Sequence, residues 1–166
     1  MDDAARKTAL RMIPYGIYVL TAEDGDGVAA ATVNWVTQTS FNPPLVAVAV
    51  KADSGAYAVI GRTGTFALNM LAKGQQGAAF AFFKPAQREG ETIGGEPVRK
   101  GTTGAPLLTN ASAAVECKVV ETVQRGDHHI VVGEVVEAHL NKPVEGRPDV
   151  AVLEMKDLGA NVFYGG

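Results

Sequence analysis

Cysteine is nearly absent: the 166 residues contain only Cys117. No internal disulfide can form, and no metal site built on several thiolates is available. Basic residues are in deficit as well, 15 Lys and Arg against 18 Asp and Glu, for a formal charge of −3. Nucleic acid and anionic membrane surfaces both call for a basic face, so neither is expected as a partner. Long apolar runs are missing too. In MDDAARKTALRMIPYGIYVL the apolar positions are interrupted by Arg6, Lys7 and Arg11. That leaves neither a signal-peptide core nor a membrane-spanning stretch, and the expected address is cytoplasmic. The composition is otherwise that of an ordinary globular protein, 46% apolar and 20% charged. Its length suits one domain over residues 1–166 with a core of its own.

Several familiar chemistries lack their residues. GDGVAA follows a hairpin signal and opens a strand, so it is no dinucleotide fingerprint, and GRTG and IGG lack the lysine-and-serine ending of a phosphate loop. His128, His129 and His139 fall on one predicted strand. Neighbours on a strand face opposite ways, so His128 and His129 cannot share a metal, and His139 is too far along to help. No metal is expected. Cys117, in the middle of AAVECKVV, reads as a small core residue rather than a nucleophile.

What is present is mostly strand. Asp2 or Asp3 can cap a short helix running to Met12. GIYVLTA reads as a strand, EDGDG as a tight connection, and VAAATVNWVTQTS begins as the hairpin partner. LVAVAVK reads as a strand buried on both faces. AYAVIGR suggests a helix capped by Ser54 and closed by Gly61, TFALNML a strand, and KGQQGAAFAFFK a helix. Pro85 to Pro106 reads as a long loop, a type that is often functional. SAAVECKVVETV and HHIVVGEVVEAHL form an antiparallel pair around QRGD, and VAVLEM reads as a last core strand. The sum is a mainly β domain with short helices, closed or nearly closed as an antiparallel barrel.

One stretch stands out. TVNWVTQTSFNPP has a strand's length, yet it crowds amide and hydroxyl groups around the chain's single tryptophan, Trp35. Such a strand end could line a cleft for a flat heteroaromatic ligand with a polar edge, with Lys51 and the helix start at Ser54 offering a place for a phosphate. The plainer reading is that Ser54 only caps, Lys51 is solvated, and Thr37 and Gln38 face water. Residue chemistry alone leaves both open.

Nearly the whole chain resembles the flavin-reductase-like family of FMN-binding split barrels. The matching pieces, in order, are MIPYGIYVLTA, GVAAATVNWVTQTSFNPPLVAVAV, TFALNMLAKGQQGAAFAFF, SAAVECKVVETVQRGDHHIVVGEV and FYGG. The polar strand also looks like that of flavoredoxins and of the flavin-reductase module of some flavodiiron proteins. The resemblance implies a homodimeric, six-stranded antiparallel split barrel holding FMN noncovalently, with FAD as the alternative. Carried to this chain, Thr32, Val33, Asn34, Trp35, Val36, Thr37 and Gln38 would flank the flavin ring. Lys51, Ser54 and Gly55 would take the phosphate, and Phe83 and Lys84 would add further contacts. His128, preceded by Asp127, corresponds to the family histidine near the flavin and nicotinamide site. Gln38, Thr39 and Ser40 stand where relatives commonly have Ser-Val-Ser, and ADSG replaces a serine/threonine cluster.

The implied activity is hydride transfer from NADH or NADPH to FMN, with a redox protein or a flavin-using monooxygenase as a possible acceptor. Such chemistry belongs to the cofactors, which fits a chain without a catalytic triad or carboxylate pair. The alternative is a flavin-binding electron-transfer module reduced by a protein partner such as a rubredoxin. A split barrel binding haem or a pyridoxal-type ligand is a third.

Overall fold

The computed structural model describes residues 1–166, a mainly β chain with a few short helices. Helix α1 (Asp3–Arg11) starts where the Asp2 carboxylate accepts the Ala5 N–H at 2.7 Å. β1 (Tyr18–Glu23) and β2 (Val28–Val33) form the expected hairpin, its turn held by Asp24, which accepts the N–H groups of Asp26 and Gly27. β3 (Val36–Phe41) and β4 (Pro44–Lys51) form a second hairpin. Helix α2 (Gly55–Thr63), β5 (Thr65–Met70) and helix α3 (Gln76–Ala81) follow. Then come β6 (Arg88–Glu89), β7 (Thr92–Ile93), β8 (Glu96–Lys100) and β9 (Pro106–Leu108). The long pair β10 (Ala113–Val123) and β11 (His128–Leu140) precedes a single turn α4 (Pro148–Ala151) and a 3-10 turn, Met155–Leu158. No helix is long and apolar enough to cross a membrane.

Seven strands, not six, make the main antiparallel sheet, in the order β2-β1-β5-β10-β11-β4-β3. The extra strand arises because the polar run breaks at Asn34 and Trp35. Its first half pairs with β1, its second half with β4. Those two residues therefore join opposite edges, and the sheet has to curl until its edges meet at that corner. The Ala49 N–H donates to the Trp35 carbonyl across it at 3.0 Å, but no continuous ladder closes the barrel.

Four local expectations change. Pro85 to Pro106 is a small antiparallel sheet, β6 to β9, pinned by buried Ile93, Val98, Leu107 and Leu108. Helix α2 passes through Gly61 and stops at Gly64, whose φ of 65° suits a residue without a Cβ. β4 buries only Val48 and Val50, because its other face is left partly open. VAVLEM contributes two isolated bridges and the buried Leu153 rather than a strand.

The packing explains two of the quoted motifs. Asn69 of FALNML is fully buried; its amide donates to Val19 O and Thr21 Oγ1, and its carbonyl accepts the Leu108 N–H at 2.8 Å. It ties the small sheet to the large one. Gly133 of VGEV lies under the ring of Phe66, where a Cβ would come within 2.7 Å of Phe66 and 2.8 Å of Cys117.

Candidate functional site

Strand register sets the site. His128 on β11 pairs with Lys51 on β4, so the two side chains leave the same sheet face, while His129 pairs with Val50 and leaves the other. His129 is engaged structurally, its Nδ1 2.8 Å from the Tyr57 hydroxyl. His139 lies elsewhere, with Nε2 2.7 Å from Glu116. No three His, Cys, Asp or Glu side chains converge in a way that would hold a metal ion.

His128 is held on three sides. Its Nδ1 is 2.9 Å from Asp127 Oδ1, its Nε2 is 2.7 Å from the Tyr164 hydroxyl, and Trp35 meets the ring edge-on at 4.8 Å between centroids. The hydrogen bond from His128 holds the Asp127 carboxyl below the usual carboxylate range, so Asp127 can only accept. Nδ1 therefore carries the hydrogen, and in the neutral ring Nε2 accepts from Tyr164. Burial pushes the Tyr164 phenol up, which keeps its proton in place.

Beside this group opens a cavity of about 310 Å³. Its walls are Ala31, Thr32, Val33 and Asn34, the end of β4, the start of α2, Phe82 and Phe83, the 3-10 turn and Val162–Tyr164. Thirteen of the eighteen lining residues are apolar, which suits the face of a flat ring more than a freely hydrated ligand. The Thr32 hydroxyl donates to Ala79 O at 2.6 Å and its N–H to Phe82 O at 3.2 Å, fastening α3 so that Phe82 and Phe83 overhang β2. The Asn34 amide, almost fully buried, donates to the Tyr164 carbonyl at 3.0 Å.

Six of the twelve expected flavin contacts, Thr32, Val33, Asn34, Lys51, Ser54 and Phe83, thus line one cavity together with His128. Trp35 stands behind His128. Val36, Thr37, Gln38, Gly55 and Lys84 do not line it. The break at Asn34 carries β3 away to pair with β4, and there Thr37 and Gln38 are exposed and their side chains bond only to backbone of their own strand. Ser54 spends its hydroxyl on the helix start, donating to Lys51 O at 2.7 Å and accepting from the Tyr57 N–H at 3.1 Å. Lys51 holds Asp53, with Nζ 3.0 Å from Oδ1. Sequence reasoning missed Phe82, Met155, Leu158, Val162, Phe163 and Tyr164. The available signal for the last two was FYGG, aromatics beside glycines, a composition that packs on a surface.

Apolar walls, a nearby cation and a histidine fit a flavin with its apolar ring and phosphate. The sequence profile of the flavin reductase like domain matches residues 10–156. The chain belongs to the flavin reductase-like family. A flavin reductase from Pseudomonas putida is 32% identical over 132 residues, covering 79% of this chain and 76% of that protein. The diflavin flavoprotein A 1 of Synechocystis sp. is 31% identical over 141 residues, 84% of this chain but 25% of that protein. The chain thus spans about a quarter of the length of the diflavin flavoproteins it matches. Among solved structures, the NADH:FAD oxidoreductase SgcE6 of Streptomyces globisporus C-1027 shares 29% identity at a TM-score of 0.72, covering 84% of each chain. BorF, the flavin reductase component of a bacterial two-component tryptophan halogenase, shares 26% at 0.76 and covers 98% of this chain and 96% of its own. Family membership accounts for the β architecture and for the order of the motifs along the chain.

Proposed function

We propose that this chain is an NAD(P)H:flavin oxidoreductase that holds FMN in the cavity beside His128 and receives its hydride donor there. The observation that carries this reading is the meeting, on one sheet face, of an apolar slot with Lys51 and His128. Similar proteins favour it: SgcE6 is an NADH:FAD oxidoreductase also solved with NAD and FAD fragments, and styrene monooxygenase and tryptophan halogenase each have a flavin reductase component. FAD is the alternative flavin.

Bound flavin supplies the hydride chemistry, so the protein's work is to bind, orient and exclude water. Val33, Phe82 and Phe83 shield the ring. Lys51 and the first turn of α2 hold the phosphate, and His128 orients the carboxamide of the donor. Proximity then supplies most of the rate. The partner in this reading is a flavin-using enzyme, and the chain acts as a single unit that pairs with a second copy. Exposed Phe41 and Leu140, and Ile130 two residues from His128 on the same face, support that pairing. A second reading, an electron-transfer module reduced by a protein partner, rests on the diflavin flavoproteins, in which a matching segment is one part of a longer chain.

Anaerobic mixing of flavin-loaded protein with NADH or NADPH separates the two. Bleaching of the flavin absorbance is expected with at least one donor; none with either leaves the electron-transfer module. In the same assay, His128→Ala is expected to slow bleaching by roughly tenfold or more while FMN affinity stays close to that of the parent. Equal rates would remove His128 from the site.

A further inference from the structure

Three observations meet on the strap Val162–Gly166. Tyr164 occupies Nε2 of His128 at 2.7 Å while Asp127 occupies Nδ1 at 2.9 Å, so His128 has no ring nitrogen left for a donor. The strap is also lightly held. It is the shared wall between the site cavity and a second one of about 350 Å³ bounded by Arg11, Pro14 and Lys156. No strand ladder fixes it, and Phe163 and Tyr164 are half-exposed. Besides the His128 contact, Tyr164 and the residues after it are anchored by Asn34 Nδ2 to Tyr164 O at 3.0 Å, Arg11 Nε to Gly165 O at 3.3 Å and the Trp35 ring 5.5 Å from that of Tyr164. Phe163 lies 4.2 Å under the Arg11 guanidinium, and Val162, its N–H on Gly159 O at 3.1 Å, packs on the core as the fixed end. Finally, Trp35 Nε1 is buried with no acceptor, and Gly165 lies against that edge: a Cβ there would stand 3.6 Å from Nε1. A buried donor without a partner costs free energy while the strap lies over it.

We propose that Tyr164 is a latch, positioning His128 and masking its Nε2 until a nicotinamide donor displaces the strap. This rests on the reading of the cavity as a flavin reductase site. The latch lowers the apparent affinity for the donor by the fraction of molecules with the strap open. Trp35 touches the strap, its ring 5.5 Å from that of Tyr164, and as the only tryptophan it gives an unmixed emission signal.

The test uses the full chain and Tyr164→Phe, which removes one hydroxyl and keeps the ring. In flavin-free protein, acrylamide quenching of Trp35 emission is expected to rise roughly two- to tenfold in the variant, the range of one hydrogen bond. In flavin-loaded protein, anaerobic titration is expected to show the apparent Kd for NADH or NADPH falling by a similar factor. Unchanged quenching overturns the latch. A weaker donor Kd also overturns it, since Tyr164 would then be a donor contact, as does a slower limiting rate at unchanged Kd. Absence of bleaching by either nicotinamide sinks the reductase reading instead, and the quenching result then decides alone whether Tyr164 holds the strap on His128.

Discussion

Lys51 stands among carboxylates. Its bond to Asp53, 3.0 Å away, raises its pKa above the ordinary lysine value, and Asp127 adds a weaker pull. The same bond lowers the Asp53 carboxyl below its usual range. A phosphate approaching Lys51 has to compete with Asp53 for the ammonium and is repelled by that carboxylate. Lys51→Ala is therefore expected to weaken FMN binding, and Asp53→Asn to strengthen it, each by roughly two- to fivefold for so exposed a pair. Fluorescence titration with FMN, and with riboflavin as the phosphate-free control, checks this; equal effects on both flavins would remove Lys51 from the phosphate. At this scale the sequence was readable where strand alternation decides direction. It separated His128 from His129, while Lys51 was reached through the helix start at Ser54 and the family resemblance, not through alternation. Tyr164 was not readable, since it reaches His128 from 36 residues away through a strap without periodicity.

At the scale of elements, Gly133 governs how closely β11 approaches β5 and β10. A Cβ on it would meet the Phe66 ring at 2.7 Å and the Cys117 Cβ at 2.8 Å, and both neighbours are fully buried. Neither can retreat without disturbing the core beneath α2. Gly133→Ala is expected to destabilise the fold by about 1–3 kcal/mol, read as a lower denaturant midpoint at unchanged slope. The same neighbourhood explains Cys117, whose thiol burial pushes up to about 12 and so keeps it unreactive. The longer strands were legible from alternation and apolar runs, except that the polar run was read as one strand where the structure makes β2 and β3, and the turns EDGDG and QRGD were legible from their Asp and Gly residues. The small sheet was not. Its first two strands are two residues long, too short to show a period, and only pairing and the tertiary burial of Ile93 distinguish them from a loop.

Across the whole molecule, one buried carboxylate links the two sheets. Glu116 on β10 has no exposed side-chain surface and accepts from the N–H groups of Thr102 and Thr103, the Thr103 hydroxyl at 2.6 Å and His139 Nε2 at 2.7 Å. Burial alone would raise its pKa, but these hydrogen bonds outweigh it and hold the group at about 2, against an ordinary value of 4.5. Ionised Glu116 thus stabilises the fold fully above pH 4.5, and that contribution is lost as the pH falls toward 2. Urea denaturation between pH 7 and pH 3 is expected to show stability declining across that window. Glu116→Gln should be less stable at pH 7 and show a flatter decline on acidification; an equally steep decline would assign the acid sensitivity elsewhere. Composition and charge had bounded the class of molecule, but this junction was hidden, because nothing in AAVECKVV separates a buried, fully bonded glutamate from a solvated one.

The corner at Asn34 and Trp35 has a consequence for engineering. Those residues carry the chain from one sheet edge to the other, and they also brace the strap and His128. Redesigning ligand preference there means editing a structural hinge pin, so each gain in selectivity will be judged first by whether the sheet still curls shut. Phe83, half-exposed, and Asp53, exposed, both outside the main ladder, are the positions where selectivity can be varied while leaving the architecture alone.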